Sequence, residues 1–161
     1  PYYSFDVEAV NYFDYGPQNS RGFRALKVWL GLRHAGAAGY REMIGDNIAL
    51  ARRLYDLAHA HPELEAMTHN LSITTFRYVP LELRSGLGGA ETEAYLHRLN
   101  QQLLAAIEHS GEAFLSNAVI DGKYALRVCI VNFLCSSGDI EALPSLVVRL
   151  GRELHAALEV S

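Results

Sequence analysis

The residues Asn19, Ser20 and Arg21 stand where an irregular, polar stretch meets the first helical pattern of the chain. The first N–H groups of a helix have no partner inside the helix, and the helix dipole places positive charge at the same end. A helix entrance of this kind binds phosphate or carboxylate groups. Ser20 and Arg21 are therefore a candidate anion-binding pair. An ordinary serine cap beside a solvated arginine would account for the same residues.

Arg127 is a second candidate, because it lies within a run of β-forming residues from Tyr124 to Val131. Alternation along a strand places Arg127 on the same side as Ala125 and Cys129, which are apolar. A guanidinium left unpaired in such surroundings is costly, so it should meet a carboxylate, a phosphate or a row of carbonyls. Two explanations stay open: an ion pair with an internal Asp or Glu, or an anionic ligand or loop held against this face of a sheet.

Metal and disulfide chemistry are not predicted. His59 and His61 form a His-x-His pair near a helix end, but the nearest acid, Glu63, follows a proline and no cysteine is close. Cys129 and Cys135 have neither the spacing of a zinc ligand set nor that of a disulfide-rich protein, and we expect both to be buried thiols. This cysteine usage is typical of a reducing cytoplasm.

The composition limits the class of protein. Of the 161 residues, 50% are apolar, which is enough to bury the core of one domain, or of most of one. The net charge is -4 without a run of Lys and Arg, which argues against nucleic acid as a partner. The apolar runs are too short to cross a bilayer and no signal segment opens the chain, so we expect a cytoplasmic protein without a membrane partner. The acidic residues Glu82, Glu91 and Glu93 are expected on a solvated face.

Four helical segments must position the candidate residues. Apolar residues three and four apart predict a helix from Gly22 to about His34, a stop in the HAGAAGY stretch, and a longer second helix that ends before Pro62. A third helix carries the apolar stripe from Thr92 to Ile107. The last helix starts at the SSGD sequence, with Pro144 expected in its first turn.

Two strand pairs complete the pattern. The sequence from Leu71 to Pro80 is rich in β-branched residues and alternates, which predicts a strand, with a short partner around Leu64 to Met67. Asp121-Gly122 separates two further β-prone runs and is a strong hairpin signal. The predicted fold class is therefore α+β, a small antiparallel sheet covered by helices on one face. The other face is free for solvent or for another domain.

Two stretches of the chain, DYGPQNSRGFRALKVWLGLRHAG and DGKYALRVCIVNF, resemble a known family. It is the group II pyridoxal-phosphate-dependent amino-acid decarboxylases, on the side of the aromatic-L-amino-acid decarboxylases, and the similar part is their C-terminal part. The resemblance covers essentially the whole chain. It implies a fold-type I enzyme, usually a homodimer. Residues 1–19 would be a catalytic loop and linker, residues 20–36 a connecting helix, and residues 37–161 the C-terminal small domain.

The cofactor of this family, pyridoxal 5'-phosphate, is held covalently by a lysine that follows a histidine. The lysines of this chain are Lys27, which follows a leucine, and Lys123, which follows a glycine. Neither fits the family pattern. We therefore expect the cofactor lysine and the large pyridoxal-phosphate domain to lie upstream of Pro1, and the chain alone to be inactive.

The proton donor of the family is a tyrosine on a mobile loop, in a Pro-x-Tyr setting that resembles Pro1-Tyr2-Tyr3. The resemblance implies Tyr3 as the catalytic acid, with Tyr2 as the alternate because the register is open by one residue. A phenol is neutral near neutral pH and can donate a proton inside a water-poor pocket. Within the family, tyrosine at this place is associated with amine formation, and phenylalanine with oxidative, aldehyde-forming chemistry.

The resemblance also gives the anion sites a purpose. The turn at residues 19–21 would approach the cofactor phosphate, which makes Ser20 and Arg21 cofactor-binding residues. Arg127, as a cation facing an anionic ligand, is the candidate substrate-binding residue. The implied reaction converts an L-amino acid, a small molecule that is aromatic by resemblance, to its amine and CO2. The alternative is a free-standing α+β ligand-binding or regulatory module without catalysis.

Overall fold

The structure is a computed structural model that describes residues 15–17 and 22–159. Two units divide the chain, residues 1–39 and residues 40–161. The sheet and the buried core lie within the second unit. None of the described helices combines the length and the apolar character that are needed to span a bilayer.

Helix α1, Ala25–Ala60, is interrupted at Gly36, where φ is 63° and ψ is 178°. Glycine readily adopts a positive φ, so the predicted stop and restart in the HAGAAGY stretch is confirmed. Before the interruption, large apolar side chains are exposed, among them Phe23 at 73% and Trp29 at 56%. After it, α1 buries one face through Ala51, Leu54 and Ala58.

Four antiparallel strands form one sheet in the order β1-β2-β4-β3. They are β1 Leu64–Asn70, β2 Ile73–Tyr78, β3 Ser116–Ile120 and β4 Lys123–Cys129. Strands β1 and β2 form one hairpin, β3 and β4 form the other, and β2 pairs with β4 in the centre of the sheet. The predicted α+β class with a small antiparallel sheet is confirmed.

Both hairpin turns begin with a non-glycine residue of positive φ, Leu71 in one and Asp121 in the other. Asp121 and Gly122 have φ values of 49° and 78°, as a tight two-residue turn requires, so the predicted hairpin is confirmed. In the other hairpin, Leu71 has a φ of 50°, which is unusual for a bulky residue. The prediction that Leu71 lies within a strand is therefore wrong. β1 extends to Asn70, and β2 starts only at the β-branched Ile73.

Helix α3, Ser137–Glu159, begins at a reciprocal cap. The Asp139 amide donates to Ser136 Oγ at 3.3 Å, and the Ser136 amide donates to Asp139 Oδ2 at 2.8 Å. This cap starts the helix at the SSGD sequence, as predicted. Pro144 consequently lies about two turns inside α3, and its predicted place in the first turn is wrong.

One face of the sheet packs against α3 and against α2, Ala90–Ser110, which follows a 3-10 helix at Leu81–Gly86. Phe76 of β2 and Leu126 of β4 pair across the strands and are fully buried. They belong to a core that includes fully buried residues of α2 and α3: Leu96, Leu99, Leu103, Ile107 and Val147. Because side chains alternate along a strand, the residues next to Phe76 and Leu126 point to the opposite face.

Candidate functional site

The opposite face of the sheet carries a row of polar side chains that crosses all four strands. Thr68 of β1 pairs with Thr75 of β2, Thr75 pairs with Arg127 of β4, and Arg127 pairs with Ser116 of β3. We call these four residues the polar row. The Thr68 and Thr75 hydroxyls lie 2.6 Å apart and share a hydrogen bond. The expectation that Arg127 stands among apolar neighbours is therefore wrong, because the residues across from it on both adjacent strands are polar.

Arg127 is half-buried, and its one side-chain hydrogen bond within the described residues is weak. Its Nη1 donates to Ser116 Oγ at 3.3 Å, and the same hydroxyl donates to the Arg127 carbonyl at 3.3 Å. No carboxylate in the described ranges forms an ion pair with this guanidinium. A guanidinium has five N–H donors, so most of the donors of Arg127 remain available to another group. The internal ion pair that the sequence left open is not formed within the part of the chain described.

Arg77 follows Thr75 by two residues on β2 and therefore lies on the same face of the sheet. Its charge is neutralised by carboxylates. Its side chain is only 1% exposed; Nε donates to Glu65 Oε2 at 2.6 Å and Nη1 donates to Glu93 Oε2 at 2.6 Å. Lys123 Nζ donates to the other Glu65 oxygen at 3.1 Å. We call Arg77, Glu65, Glu93 and Lys123 the ionic cluster. Its two positive and two negative side chains balance.

The ionic cluster keeps Glu93 and Arg77 charged. The hydrogen bond from Arg77 lowers the pKa of Glu93 to about 2 against the opposing effect of burial, and the Gly88 amide, 3.0 Å from Glu93 Oε1, adds to it. Burial by itself would lower the pKa of Arg77, but its bonds to Glu93 and Glu65 raise it above the ordinary value. Neither Glu93 nor Arg77 changes its charge near neutral pH.

Asn100 fixes helix α2 to the end of β2 and so sets the position of Glu93. The Tyr78 amide donates to Asn100 Oδ1 at 2.8 Å, and Asn100 Nδ2 donates to the Tyr78 carbonyl at 2.9 Å. Glu93 is about two helical turns before Asn100, and therefore on the same side of α2. The contact that attaches the helix to the strand thus brings the Glu93 carboxylate to Arg77.

Sequence reasoning missed this cluster. The placement of Glu93 on a solvated face is wrong, since Arg77 holds its carboxylate. Glu82 and Glu91 are exposed, as predicted, and Glu82 contacts the buried His155. A signal was present in the sequence, because Arg77 stands between Phe76 and Tyr78 in the middle of a predicted strand. The argument applied to Arg127 applied equally to Arg77.

Four of the five predicted site residues lie outside the described residues: Tyr2, Tyr3, Ser20 and Arg21. Arg127 is the one that the structure places. Of the two lysines, Lys27 is exposed on α1 and Lys123 belongs to the ionic cluster.

The His-x-His pair, His59 and His61, makes structural contacts. His61 Nδ1 accepts the Glu63 amide at 3.1 Å, and the His59 ring stacks on Tyr55 with centroids 6.1 Å apart. Among the described residues, no group of three His, Cys, Asp or Glu side chains is arranged to hold a metal ion.

A groove of about 810 Å³ lies where the end of β4 meets the start of α3 and the segment 112–115. Both cysteines line it, together with apolar side chains such as Phe114 and Leu134. Cys129 is exposed, so the prediction that it is a buried thiol is wrong. Cys135 is half-buried, and burial raises the pKa of its thiol.

Comparison with known proteins gives relatives for most of the chain, although no protein-family model matches it. The aromatic-L-amino-acid decarboxylase of Bacillus atrophaeus is 36% identical over 124 residues, which are 76% of this chain and 24% of that protein. The phenylacetaldehyde synthase of a Rosa hybrid cultivar is 35% identical over 124 residues, with the same two shares. An Oryza sativa TDC, solved with PLP and tryptamine, has a TM-score of 0.70 and 26% identity, covering 83% of this chain and 28% of that one.

The chain is homologous to the C-terminal part of the group II pyridoxal-phosphate-dependent decarboxylases. It spans about a quarter of the length of the curated relatives that it matches. The resemblance seen in the sequence is confirmed, and so is the small α+β domain that it implied. Within this domain, the polar row lies on the sheet face opposite the helices, and the ionic cluster joins that face to the first turn of α2 through Glu93.

Proposed function

We propose that this chain is the C-terminal small domain of a pyridoxal-phosphate-dependent decarboxylase that converts an L-amino acid to its amine and CO2. The observation that carries the proposal is its homology to aromatic amino-acid decarboxylases over three quarters of its own length. An aromatic substrate is favoured because the aligned proteins include an aromatic-L-amino-acid decarboxylase and a tyrosine decarboxylase.

We propose that most of the residues that bind the cofactor lie outside this chain. Pyridoxal phosphate, when bound, takes up the electron pair released as CO2 leaves. Lys27 is exposed and Lys123 is paired with Glu65, so neither suits covalent attachment, and we assign the lysine to a large domain elsewhere in the same protein. The exposed apolar side chains at the start of α1, such as Phe23 and Trp29, suit burial against such a domain. We further propose a cytoplasmic homodimer.

Arg127 is proposed to bind the carboxylate of the substrate. A half-buried guanidinium with no carboxylate partner in the described part of the chain offers two parallel N–H donors to a planar anion, and desolvation strengthens such a bond. The flanking hydroxyls of Thr75 and Ser116 keep the surroundings polar without adding negative charge. This arrangement would orient the amino acid and leave its chemistry to other residues.

The remaining roles rest on residues outside the described ranges. We propose that Tyr3, or Tyr2 one residue earlier, returns a proton to the α-carbon after CO2 has left. We also propose that Ser20 and Arg21, which precede α1 in the sequence, hold the cofactor phosphate.

Absorbance tests the assignment against the alternative of a free-standing binding or regulatory module. The complete protein that contains this chain should show a cofactor band near visible wavelengths that disappears on borohydride reduction, and it should release CO2 from aromatic L-amino acids. A protein without such a band that still binds amino acids would support the module and contradict the proposal. Glutamate as a comparison substrate separates an aromatic from an acidic preference.

Replacing Tyr3 by Phe tests the proton donor. The hydroxyl is the only group removed, so substrate binding should change little. Amine formation should fall, and aldehyde, ammonia and peroxide should appear as O2 reacts where protonation is lost. Measuring Tyr2→Phe in parallel identifies which of the two tyrosines is the proton donor. An unchanged ratio of amine to peroxide in both variants would remove this segment from the mechanism.

A further inference from the structure

Arg77 and Arg127 are close neighbours on one face of the sheet, although among the described residues only Arg77 has carboxylate partners. Arg127 pairs directly with Thr75, and Arg77 follows Thr75 by two residues on β2. Side chains in this diagonal relation are separated by roughly 7–8 Å between Cα atoms, a gap that long side chains span. The carboxylates that bind Arg77 are therefore near enough to reach Arg127 if nothing else held them.

Both carboxylates are fully engaged by other cations. Arg77 Nη1 and Nη2 bind the two oxygens of Glu93 at 2.6 and 3.1 Å, and Arg77 Nε takes one oxygen of Glu65. The second Glu65 oxygen is taken by Lys123. Each of the four carboxylate oxygens thus has a cationic donor from within the ionic cluster, and these bonds direct both carboxylates toward Arg77 and Lys123.

We propose that Arg77 is a positioning residue that keeps Arg127 available for an external carboxylate by holding Glu65 and Glu93 in a closed, charge-balanced cluster. Lys123 assists by neutralising the second charge of the cluster. The inference rests on the proposed role of Arg127 and adds a residue that never touches the ligand. Without Arg77, the partly buried Glu93 carboxylate would keep only the Gly88 amide as a hydrogen-bond partner among those described. Arg127 would then be a neighbouring guanidinium, beside the ammonium of Lys123, able to pair with it.

Phenylglyoxal, which reacts with accessible guanidinium groups, tests this in the complete protein. The rate of modification at Arg127 is followed by peptide mass spectrometry, with and without acetate as the competing carboxylate. In the native sequence, Arg127 should react and acetate should slow the reaction. Arg77→Met should slow modification of Arg127 by about tenfold or more, because an internal ion pair replaces the open site. Arg53, on exposed α1, serves as the internal control and should not change.

The double variant Arg77→Met/Glu93→Gln separates positioning from damage to the fold. It removes the carboxylate that would capture Arg127, so the reaction of Arg127 and its protection by acetate should return to the native rate. A structural defect caused by losing Arg77 would not be repaired by removing Glu93. Equal Arg127 rates in the native protein and in Arg77→Met would overturn the inference, and so would a slow rate that Glu93→Gln does not restore.

Lys123→Met provides a test that does not disturb the buried part of the cluster, because Lys123 is 32% exposed. It leaves one surplus negative charge beside the polar row, and modification of Arg127 should slow about twofold. An unchanged rate would contradict the charge-balance argument even if Arg77→Met fails to fold. If acetate does not protect native Arg127, the proposed substrate role of Arg127 fails together with this inference. If acetate protects it but the variants have no effect, only the inference fails.

Discussion

Arg77 and Arg127 are the same residue type, on the same face of one sheet, in adjacent central strands, yet their surroundings are opposite. Arg77 is buried between the carboxylates of Glu65 and Glu93, whereas Arg127 has the Ser116 hydroxyl as its side-chain partner among the described residues. The difference comes from other elements: β1 supplies Glu65 and α2 supplies Glu93. A charged residue in a strand is therefore structural or available for a ligand according to what its neighbours in space provide.

The largest effect should come from Arg77→Met. This change leaves two carboxylates without their main partner, and breaking a buried ion pair from one side costs about 3–5 kcal/mol. Arg127→Met should cost less than about 1 kcal/mol, because it removes one long hydrogen bond. Urea unfolding of both variants measures the two free energies of unfolding. Equal losses of unfolding free energy in the two variants would contradict the different roles of the two arginines.

The next largest effect should come from acid, which protonates Glu93 and so weakens the ionic cluster. The folded pKa of Glu93, about 2, lies below its ordinary value of 4.5, so the stabilisation is complete above about pH 5 and is lost as pH falls toward 2. The loss should be of the order of 2 kcal/mol after allowance for solvent. Glu93→Gln should be less stable than the native protein at neutral pH and less sensitive to acid. Urea unfolding at several pH values decides this, and parallel pH curves for the two proteins would contradict it.

The smallest effect should come from Ser116→Ala. The change removes the side-chain partner of Arg127 but leaves its charge, so stability should fall by less than about 0.5 kcal/mol. Substrate affinity should change modestly, since the guanidinium of Arg127 loses one hydrogen bond that orients it. Thermal unfolding and the KM of the complete protein measure the two effects. A large loss of stability would show that the 3.3 Å bond matters more than its length suggests.

The sequence predicted the elements of the fold well, because local signals define them. The Asp121-Gly122 turn and the Ser136 cap act through their own residues and their immediate neighbours. The sequence predicted Leu71 in a strand, whereas it lies in the turn with a positive φ. The pairing of β1 with β2 fixes this position, and no local preference reveals that pairing.

The candidate site was predictable only in part, for the same physical reason. Alternation along β4 singled out Arg127, but the serine beside it comes from the facing strand of its hairpin and the threonine from β2, far away in the sequence. The ionic cluster joins β1, β2, α2 and β4, so its pairing depends on how Asn100 attaches α2 to β2. Local patterns find a charge that needs a partner, and tertiary structure decides whether it has one.

The most direct test of the account is Arg127→Met in the complete protein, with turnover and melting temperature measured on the same preparation. Losing a charged partner of a desolvated carboxylate costs at least about 2 kcal/mol, so kcat/KM for amine formation should fall by about 30-fold or more. The melting temperature should move by less than about 2 °C. Full turnover together with a sharply lower melting temperature would contradict the account, because Arg127 would then serve the fold as Arg77 does.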